Sequence, residues 1–236
     1  MNVLAAGLGA ATPQIIRLLV ALTALLSPSV ARRPARGQTE IATVRPGHQV
    51  ALYRRPGAQE WARVASRTPF GSPQTFGILS RRGRWLEVSS PDLPAGQQGW
   101  VRAGPSLRFT FTGWELRVSR SARRLTVLDD GRAVRAFAVG IGASASPTPL
   151  GRFTVTDKLP GSRFSPVYGC CIVALSGDQP DLPAGFTGGD RLAIHGTDAP
   201  STIGQAVSAG CLHAAETEMR YLMAHVPLGA EVAIVR

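Results

Sequence analysis

The stretch His195–His213 reads HGTDAPSTIGQAVSAGCLH, and it carries most of the chemistry that this sequence suggests. An apolar segment, RLAIH, leads into His195 and predicts a buried strand. Sixteen positions later, Cys211 ends the small-residue turn SAGC, where a thiol is sterically open. A histidine brought beside that thiol could take its proton and hold the thiolate as an ion pair. A buried cysteine and an unrelated surface histidine fit the same residues, so spacing alone leaves both interpretations open.

Further motifs accompany this stretch in a fixed order along the chain. RLTVLDDG (124–131) precedes FAVGIG (137–142), PTPLGRFTV covers 147–155, and VPLGAEVAI covers 226–234. Together with the His–Cys stretch, they resemble the L,D-transpeptidase catalytic domain family over about residues 114–236. The resemblance implies a mostly β fold, in which a β-sandwich carries one clear helix after the catalytic cysteine.

The resemblance also implies a role for each polar group of the site. Cys211 would be the nucleophile and His195 the base, and the carbonyl of Gly196 would orient the imidazole. The backbone N–H groups of Gly210 and Cys211 would stabilise the oxyanion. No metal or organic cofactor enters this chemistry. Three side chains would line the substrate site: Ser208, His213 and Tyr168.

The family reaction, as the resemblance implies it, cross-links peptidoglycan stem peptides. The thiolate attacks the carbonyl between the third and fourth residues of a tetrapeptide stem and releases the terminal D-alanine. The resulting thioester passes to the side-chain amine of a diamino acid on a second stem. A carbapenem is an expected inhibitor, because a β-lactam can acylate the same cysteine. Two positions depart from the family pattern, Ala209 for a frequent histidine and His213 for the usual arginine or asparagine, and the second puts substrate preference in question.

The N-terminal part predicts export. Arg17 precedes the apolar run LLVALTALL (18–26), and Ser29 and Ala31 place small residues at the cleavage-determining positions. We therefore expect a signal peptide over 1–31, with an uncleaved N-terminal anchor as the alternative, although the run is too short to span a bilayer. Residues 32–40 read as a polar linker. The mature protein would work in the periplasm, the cell wall or outside the cell.

A separate β domain is predicted between Ile41 and Gly104. Short β-like runs there alternate with Gly/Pro turns, namely QVALY (49–53), TFGIL (75–79), RWLEV (84–88) and GWVR (99–102). Their order resembles bacterial SH3-like domains, so a small SH3-like barrel over 41–104 is expected, and such a barrel could bind the cell wall. The chain-breaking run AGPS (103–106) marks the boundary, which leaves 107–236 for the catalytic domain. Within it, 216–225 predicts a helix whose apolar face contains Met219, Leu222, Met223 and Val226.

Composition indicates which classes of partner and ligand this chain is suited to bind. The chain of 236 residues has a formal net charge of +11, but its basic residues are dispersed and show no aromatic pairing that indicates nucleic acid. Three cysteines leave at least one thiol free. Because a disulfide between neighbours closes a strained ring, we expect Cys170 and Cys171 to be small apolar strand residues. A zinc set is disfavoured, since no Cys-x-x-Cys or His-x-x-x-His spacing is present.

The order of the candidate histidine and cysteine along the chain distinguishes this sequence from other classes of cysteine enzyme. Papain-like wall endopeptidases place cysteine before histidine, the reverse of the order here. Sortases share the His-then-Cys order, but the short separation and the SAGC turn fit them poorly. Two alternatives remain beside an exported cysteine L,D-transpeptidase. One is a wall-binding protein whose transpeptidase domain has lapsed, and the other is a sortase-like or L,D-carboxypeptidase cysteine acyl enzyme.

Overall fold

Alternation of apolar and polar residues gives this chain a mostly β fold. The structure, a computed structural model, describes residues 37–93, 97–185 and 189–236, so the predicted signal peptide and most of the linker lie outside the described residues. The strands are β1 Thr39–Val44, β2 Gln49–Tyr53, β3 Glu60–Ala65, β4 Thr75–Arg82, β5 Trp85–Ser89, β6 Gln98–Arg102, β7 Leu107–Thr112, β8 Glu115–Ser119, β9 Arg124–Asp129, β10 Arg132–Ala138, β11 Ile141–Gly142, β12 Gly151–Pro160, β13 Cys171–Asp178, β14 Arg191–His195, β15 Ala206–Ser208, β16 Leu212–His213 and β17 Glu231–Val235. The helix α1 spans Glu216–His225, and short 3-10 helices span Gly161–Arg163, Pro166–Tyr168 and Pro200–Thr202.

The first sheet has seven strands in the order β3-β2-β6-β5-β4-β1-β7. The four predicted strands correspond to β2, β4, β5 and β6, whereas β1, β3 and β7 were not predicted. Strand β1 begins at Thr39, inside the expected linker, and pairs with β7 along six residue pairs. The sheet therefore extends past Gly104 by one strand. The SH3-like character of this part and the division into two domains stay predictions.

The second sheet holds the catalytic half in the order β10-β9-β8-β17-β12-β13-β14-β16, and β11 pairs with β15 beside it. Strand β12 joins the two parts of this sheet, because 151–154 pair with β17 and 155–160 pair with β13. The predicted hairpin turn between β9 and β10 is confirmed. Asp130 and Gly131 have φ of 47° and 77°, which is the positive-φ pair of a type I′ turn.

The predicted helix is confirmed with its expected bounds, 216–225. Met219 and Leu222 are fully buried in the core of the second sheet, as is Val226 just beyond the helix end. Lys158 on β12 donates to the carbonyl oxygens of Met223 and Val226 at 2.7 and 3.0 Å, which satisfies the end of the helix. Burial lowers the pKa of Lys158. Within the described ranges, no helix is long and apolar enough to span a membrane.

Buried polar contacts join the two sheets at a tight seam. Ser176 on β13 donates to Ser89 on β5 at 2.8 Å and accepts the backbone N–H of Thr154 at 2.9 Å. A Cβ at Gly77 on β4 would collide with the carbonyl of Gly229, so this close approach of backbones requires glycine. By their contacts, the described residues of both sheets fall in one compact unit that spans 34–236.

Candidate active site

Strand β14 presents its side chains to two environments. Leu192 and Ile194 are fully buried in the core of the second sheet. Arg191, Ala193 and His195 lie on the other face and line a cavity of about 280 Å³. Because side chains of a strand alternate between faces, one short segment supplies both core packing and three residues of the cavity wall.

Strand β16 brings the thiol to the same cavity. It pairs with β14 in parallel, with His195 opposite His213, so Cys211 is level with Ala193 rather than with His195. Diagonal neighbours of this kind are about 7–8 Å apart and remain within reach of long side chains. The Sγ atom of Cys211 contacts the carbonyl oxygen of Arg191 at 3.8 Å. Within the described part of the chain, no hydrogen bond joins this thiol to His195, although both line the cavity.

The tautomer of His195 follows from its hydrogen bond. Its Nδ1 lies 2.6 Å from the carbonyl oxygen of Gly196. A carbonyl only accepts, so Nδ1 carries the hydrogen and Nε2 keeps its lone pair. The ring packs edge-on against Tyr168, with centroids 4.9 Å apart, and against His213 at 4.8 Å. This is the orientation that the family resemblance implies for a base held by the Gly196 carbonyl.

Burial sets the protonation states of the two reactive groups. It lowers the pKa of His195 to about 4, opposed by the hydrogen bond to Gly196 and aided by His213. It also raises the pKa of the Cys211 thiol to about 11, opposed by a backbone hydrogen bond with Ala193. The resting pair is therefore a neutral thiol and a neutral imidazole. In the unliganded site, desolvation disfavours both charged forms of the ion pair that the sequence suggested.

The turn before the nucleophile is held by its own serine. Ser208 Oγ donates to the carbonyl oxygen of Cys211 at 2.6 Å and accepts the N–H of Gly210 at 3.0 Å. The Ser208 hydroxyl thus braces the turn, whereas the sequence suggested that it contacts substrate. Of the two predicted oxyanion donors, the Gly210 amide is committed to this brace. The N–H of Cys211, the other predicted oxyanion donor, does not bond to Ser208.

Thr148 and Gln179, which were not among the predicted site residues, hold the same turn in position. Thr148 Oγ1 donates to the carbonyl oxygen of Gly210 and accepts the N–H of Gly142, both at 2.8 Å. Gln179 Nε2 donates to the carbonyl oxygen of Ala209 at 3.0 Å. Gly210 has φ of 117°, and a Cβ there would collide with the Gln179 amide. Thr148 belongs to the motif at 147–155, which could have signalled it, but no sequence feature marked Gln179.

His213 and Tyr168 both line the cavity, as predicted for substrate contacts. Thr202 Oγ1 donates to the carbonyl oxygen of Ala199 at 2.7 Å and lies 2.9 Å from His213 Nδ1. Since the hydroxyl hydrogen is already used, Nδ1 of His213 donates and its Nε2 keeps a lone pair. Burial lowers the pKa of His213, opposed by Asp198. Burial raises the pKa of Tyr168, and so does its proximity to Cys211, since a tyrosinate and a thiolate would repel each other.

Cys171 is a buried strand residue, as expected, but the expectation that the two neighbouring cysteines stay unjoined is wrong, because Cys170 and Cys171 form a disulfide. Cys170 precedes β13 and follows Gly169, whose φ is 57°. Its side chain therefore escapes strand alternation and can meet that of its neighbour. Its N–H donates to the Glu216 carboxylate at 2.9 and 3.1 Å, which ties this turn to the start of α1. Cys211 remains the free thiol. Among the described residues, no three His, Cys, Asp or Glu side chains are grouped to hold a metal ion.

The site defines a class of cysteine enzyme in which a backbone carbonyl, rather than a carboxylate, orients the imidazole. The family follows from the sequence match. The family model of the L,D-transpeptidase catalytic domain matches residues 114–234, and the chain belongs to that family. The match covers every residue placed above around the thiol, and it excludes the first sheet.

Individual relatives agree with the family. The chain is similar to the L,D-transpeptidase YkuD of Bacillus licheniformis, with 29% identity over 63% of this chain and 84% of the relative. An L,D-transpeptidase structure from Mycobacterium smegmatis aligns at 17% identity over 67% of this chain and 80% of that chain, with a TM-score of 0.42. L,D-transpeptidase 3 from Mycobacterium tuberculosis, in complex with a faropenem-derived adduct, aligns at 18% over 59% and 73%, with a TM-score of 0.40. At these scores, the assignment rests on the family match and not on the solved structures.

Proposed function

We propose that this chain is an exported cysteine L,D-transpeptidase that forms peptidoglycan cross-links. Cys211 would hold a tetrapeptide stem as a thioester and pass it to an amine of a second stem. One observation carries the proposal: the Gly196 carbonyl holds His195 Nδ1–H at 2.6 Å, so the free Nε2 belongs to an imidazole that shares the cavity with the thiol.

The first half of the reaction follows from the neutral resting pair. The Cys211 sulfur attacks the carbonyl carbon between the third and fourth stem residues, and His195 Nε2 takes the thiol proton as the carbon–sulfur bond forms. The oxygen of the tetrahedral intermediate faces the N–H of Cys211. Collapse of the intermediate breaks the peptide bond, and His195 returns the proton to the departing amine of D-alanine. A thioester remains on Cys211.

The second half regenerates the thiol. The amine of an acceptor stem attacks the thioester carbon, and the neutral His195 takes its proton. The carbon–sulfur bond then breaks, an amide forms, and the proton passes to the Cys211 sulfur. No redox step or added co-reactant is needed. A β-lactam would enter the same path, with its ring amide in place of the stem peptide bond, and would stop at the acyl-enzyme.

The alternatives predict different products from the same assay. Purified protein is incubated with a tetrapeptide donor and an acceptor stem, and the products are followed by liquid chromatography and mass spectrometry. A transpeptidase yields a cross-linked dimer and free D-alanine in equal amounts. An L,D-carboxypeptidase yields D-alanine and tripeptide without dimer. A lapsed domain yields neither dimer nor free D-alanine, and this result would contradict the proposal. Activity of Cys211→Ala equal to that of the wild type would contradict it as well.

Export is a separate part of the proposal and rests on the N-terminal sequence alone. Expression of the full chain in a bacterium should yield a processed form that begins near Arg32 in the periplasmic or culture fraction. Replacing Ala31 with a bulky leucine should leave the unprocessed form attached to the membrane. Intact mass and fractionation distinguish the two. A full-length protein confined to the cytoplasm in both cases would reject export.

A further inference from the structure

A loop of the first sheet reaches the cavity that holds the thiol. Phe70, in the segment 67–73 between β3 and β4, lines the cavity. It packs against the small apolar cluster of Leu159, Ile172 and Ala193, which Cys211 also contacts. The first sheet, which lies outside the family match at 114–234, therefore contributes a side chain to the candidate active site.

This loop is held in place at both of its sides. Within the loop, the N–H of Gly71 donates to the carbonyl oxygen of Thr68 at 2.9 Å. Thr68 Oγ1 donates to Asp157 on β12 at 2.5 Å, and Asp157 is fully buried. Arg163 donates to the carbonyl oxygen of Phe70 at 3.3 Å. The loop that carries Phe70 is thus tied to the catalytic half of the chain by the Thr68 side chain and by the Arg163 guanidinium.

Aromatic contacts continue from Phe70 to the base. Phe70 and Phe164 meet edge-to-face, with centroids 6.0 Å apart. Phe164 contacts Tyr168 at 6.4 Å, and Tyr168 contacts His195 at 4.9 Å. Each pair has the distance and tilt of a favourable aromatic contact. Aromatic rings therefore line the side of the cavity that runs from the base to the loop.

The guanidinium of Arg191 lies at the end of this aromatic wall that is nearest to residues 67–73. Arg191 begins β14 on the same face as His195, and its Cζ lies 5.9 Å from the centroid of the Phe70 ring. Within the described residues, its Nε is buried with no acceptor. Asp178 forms an ion pair with this Nε at 3.7 Å, which is beyond hydrogen-bond distance. Burial and the neighbouring Asp190 raise the pKa of Asp178, and the charge of Arg191 opposes this rise.

We propose that Phe70 and Arg191 form a subsite for a substrate side chain that is aliphatic along its length and ends in a carboxylate. Strand geometry spaces Arg191 from Ala193 by roughly 7 Å, and Cys211 lies level with Ala193. A side chain next to the scissile carbonyl would therefore lie along the apolar wall and place its end at the guanidinium. The planar fork of arginine binds carboxylates in pairs of hydrogen bonds.

This inference rests on the proposed function and makes it more specific. The donor stem would carry a diamino acid with a second carboxylate at its third position, instead of one whose side chain ends in an amine alone. The carboxylate of the terminal D-alanine is the alternative group that the same guanidinium could bind. The first sheet would then act in substrate selection, through residues 67–73.

Binding to the Cys211→Ala variant tests the subsite without any turnover. Calorimetry would compare four tetrapeptides: one with the free side-chain carboxylate, one with that carboxylate amidated, one with lysine in its place, and one with only the terminal carboxylate amidated. We expect about tenfold or greater weakening for the second and third peptides, and an unchanged Kd for the fourth. Adding Arg191→Gln should remove the difference between the first three, and Arg191→Lys should restore part of it.

Phe70→Ala should weaken the first peptide by about tenfold through lost packing. Phe109→Ala is the matched control, because Phe109 lies on the first sheet, outside the cavity, with the guanidinium of Arg81 at 5.6 Å from its ring. Circular dichroism would verify that each variant is folded. Equal affinity for the first three peptides would overturn the proposal, as would weakening confined to the fourth. Failure of the proposed function would appear separately, as wild-type protein that binds stems without forming a thioester.

Discussion

The two ends of the cavity are built in different ways. At the chemical end, Cys211 and His195 take their places from strand pairing and from hydrogen bonds to nearby backbone. At the far end, Phe70 arrives from another sheet and meets Arg191 through contacts between residues distant in sequence. Short-range geometry thus fixes the groups that react, whereas packing between two sheets fixes the groups that we propose select the substrate. The two ends should therefore respond differently to substitution.

The largest effect should come from His195→Asn at the chemical end. Loss of the base should slow acylation by a carbapenem by about 10²–10⁴-fold at pH 7, since the thiol with a pKa of about 11 stays protonated there. Stopped-flow or time-resolved mass spectrometry gives the rate. Phe70→Ala at the far end is the comparison and should change the rate far less. Similar losses in both variants would remove the distinction between the ends.

Acid stability should also distinguish the buried histidine. The unfolded chain protonates His195 near its ordinary pKa of about 6.5, whereas the folded protein resists until about 4. The unfolded state therefore gains protons first as pH falls from 6.5 towards 4, and the free energy of unfolding drops by about 2–3 kcal/mol at pH 4.5. The stabilisation is fully present above pH 6.5. His213, whose pKa is also lowered, changes in the same direction.

Urea unfolding at pH 7.5 and 4.5 measures this effect. His195→Gln should flatten much of the pH dependence, and His48→Gln, at an exposed histidine, should leave it intact. An unchanged pH dependence in His195→Gln would show that this imidazole is not buried in its neutral form.

A smaller effect should follow from Thr148→Val, which removes the brace between Gly142 and Gly210. The buried Gly142 N–H and Gly210 carbonyl would both lose a partner, at a cost of about 1–3 kcal/mol in stability. We expect acylation to slow by about tenfold, because the turn that carries the thiol loosens. Thr110→Val, at an exposed position on β7, is the matched control. Wild-type rates in Thr148→Val would mean that the turn does not need this hydroxyl.

The smallest effect on activity should come from Thr68→Val, which removes the anchor of the loop on Asp157. Only the far end should respond, so KM for a stem donor should rise by about threefold while the kcat and the carbapenem rate stay close to wild type. Steady-state kinetics separates the two parameters. A fall in kcat with unchanged KM would place the influence of this loop on the chemistry instead of on binding.

The features that the sequence predicts lie at the chemical end of the cavity, and those that it does not predict depend on contacts between distant segments. Alternation and turn residues predicted the helix and several strands, and the motif spacing placed Cys211 and His195 on one wall, because these patterns act over a few residues. The sequence did not reveal the disulfide of Cys170, which depends on a turn conformation at Gly169. Nor did it indicate the neutral resting pair, since burial at His195 depends on rings brought from other elements.

The far end was not predicted at all, for a physical reason. Phe70 lies 141 positions before Cys211 in the sequence, and its loop shows nothing beyond turn residues. Its place in the cavity depends on the seam between the sheets, where Thr68 meets Asp157. Such pairings carry no periodic signal. Gln179 was not predicted for the same reason, because its hydrogen bonds to the carbonyls at 146, 147 and 209 join segments that are distant in sequence.

The proposed mechanism depends most on a neutral Cys211 thiol that reacts as His195 removes its proton. The rate of carbapenem acylation, followed by intact mass from pH 6 to 9, tests this directly in wild type, His195→Asn and Cys211→Ala. We predict a single adduct on Cys211, a nearly constant wild-type rate across this range, and a rate in His195→Asn that rises with pH as free thiolate forms. An adduct on Cys211→Ala, or a His195→Asn rate equal to wild type at pH 6, would contradict it.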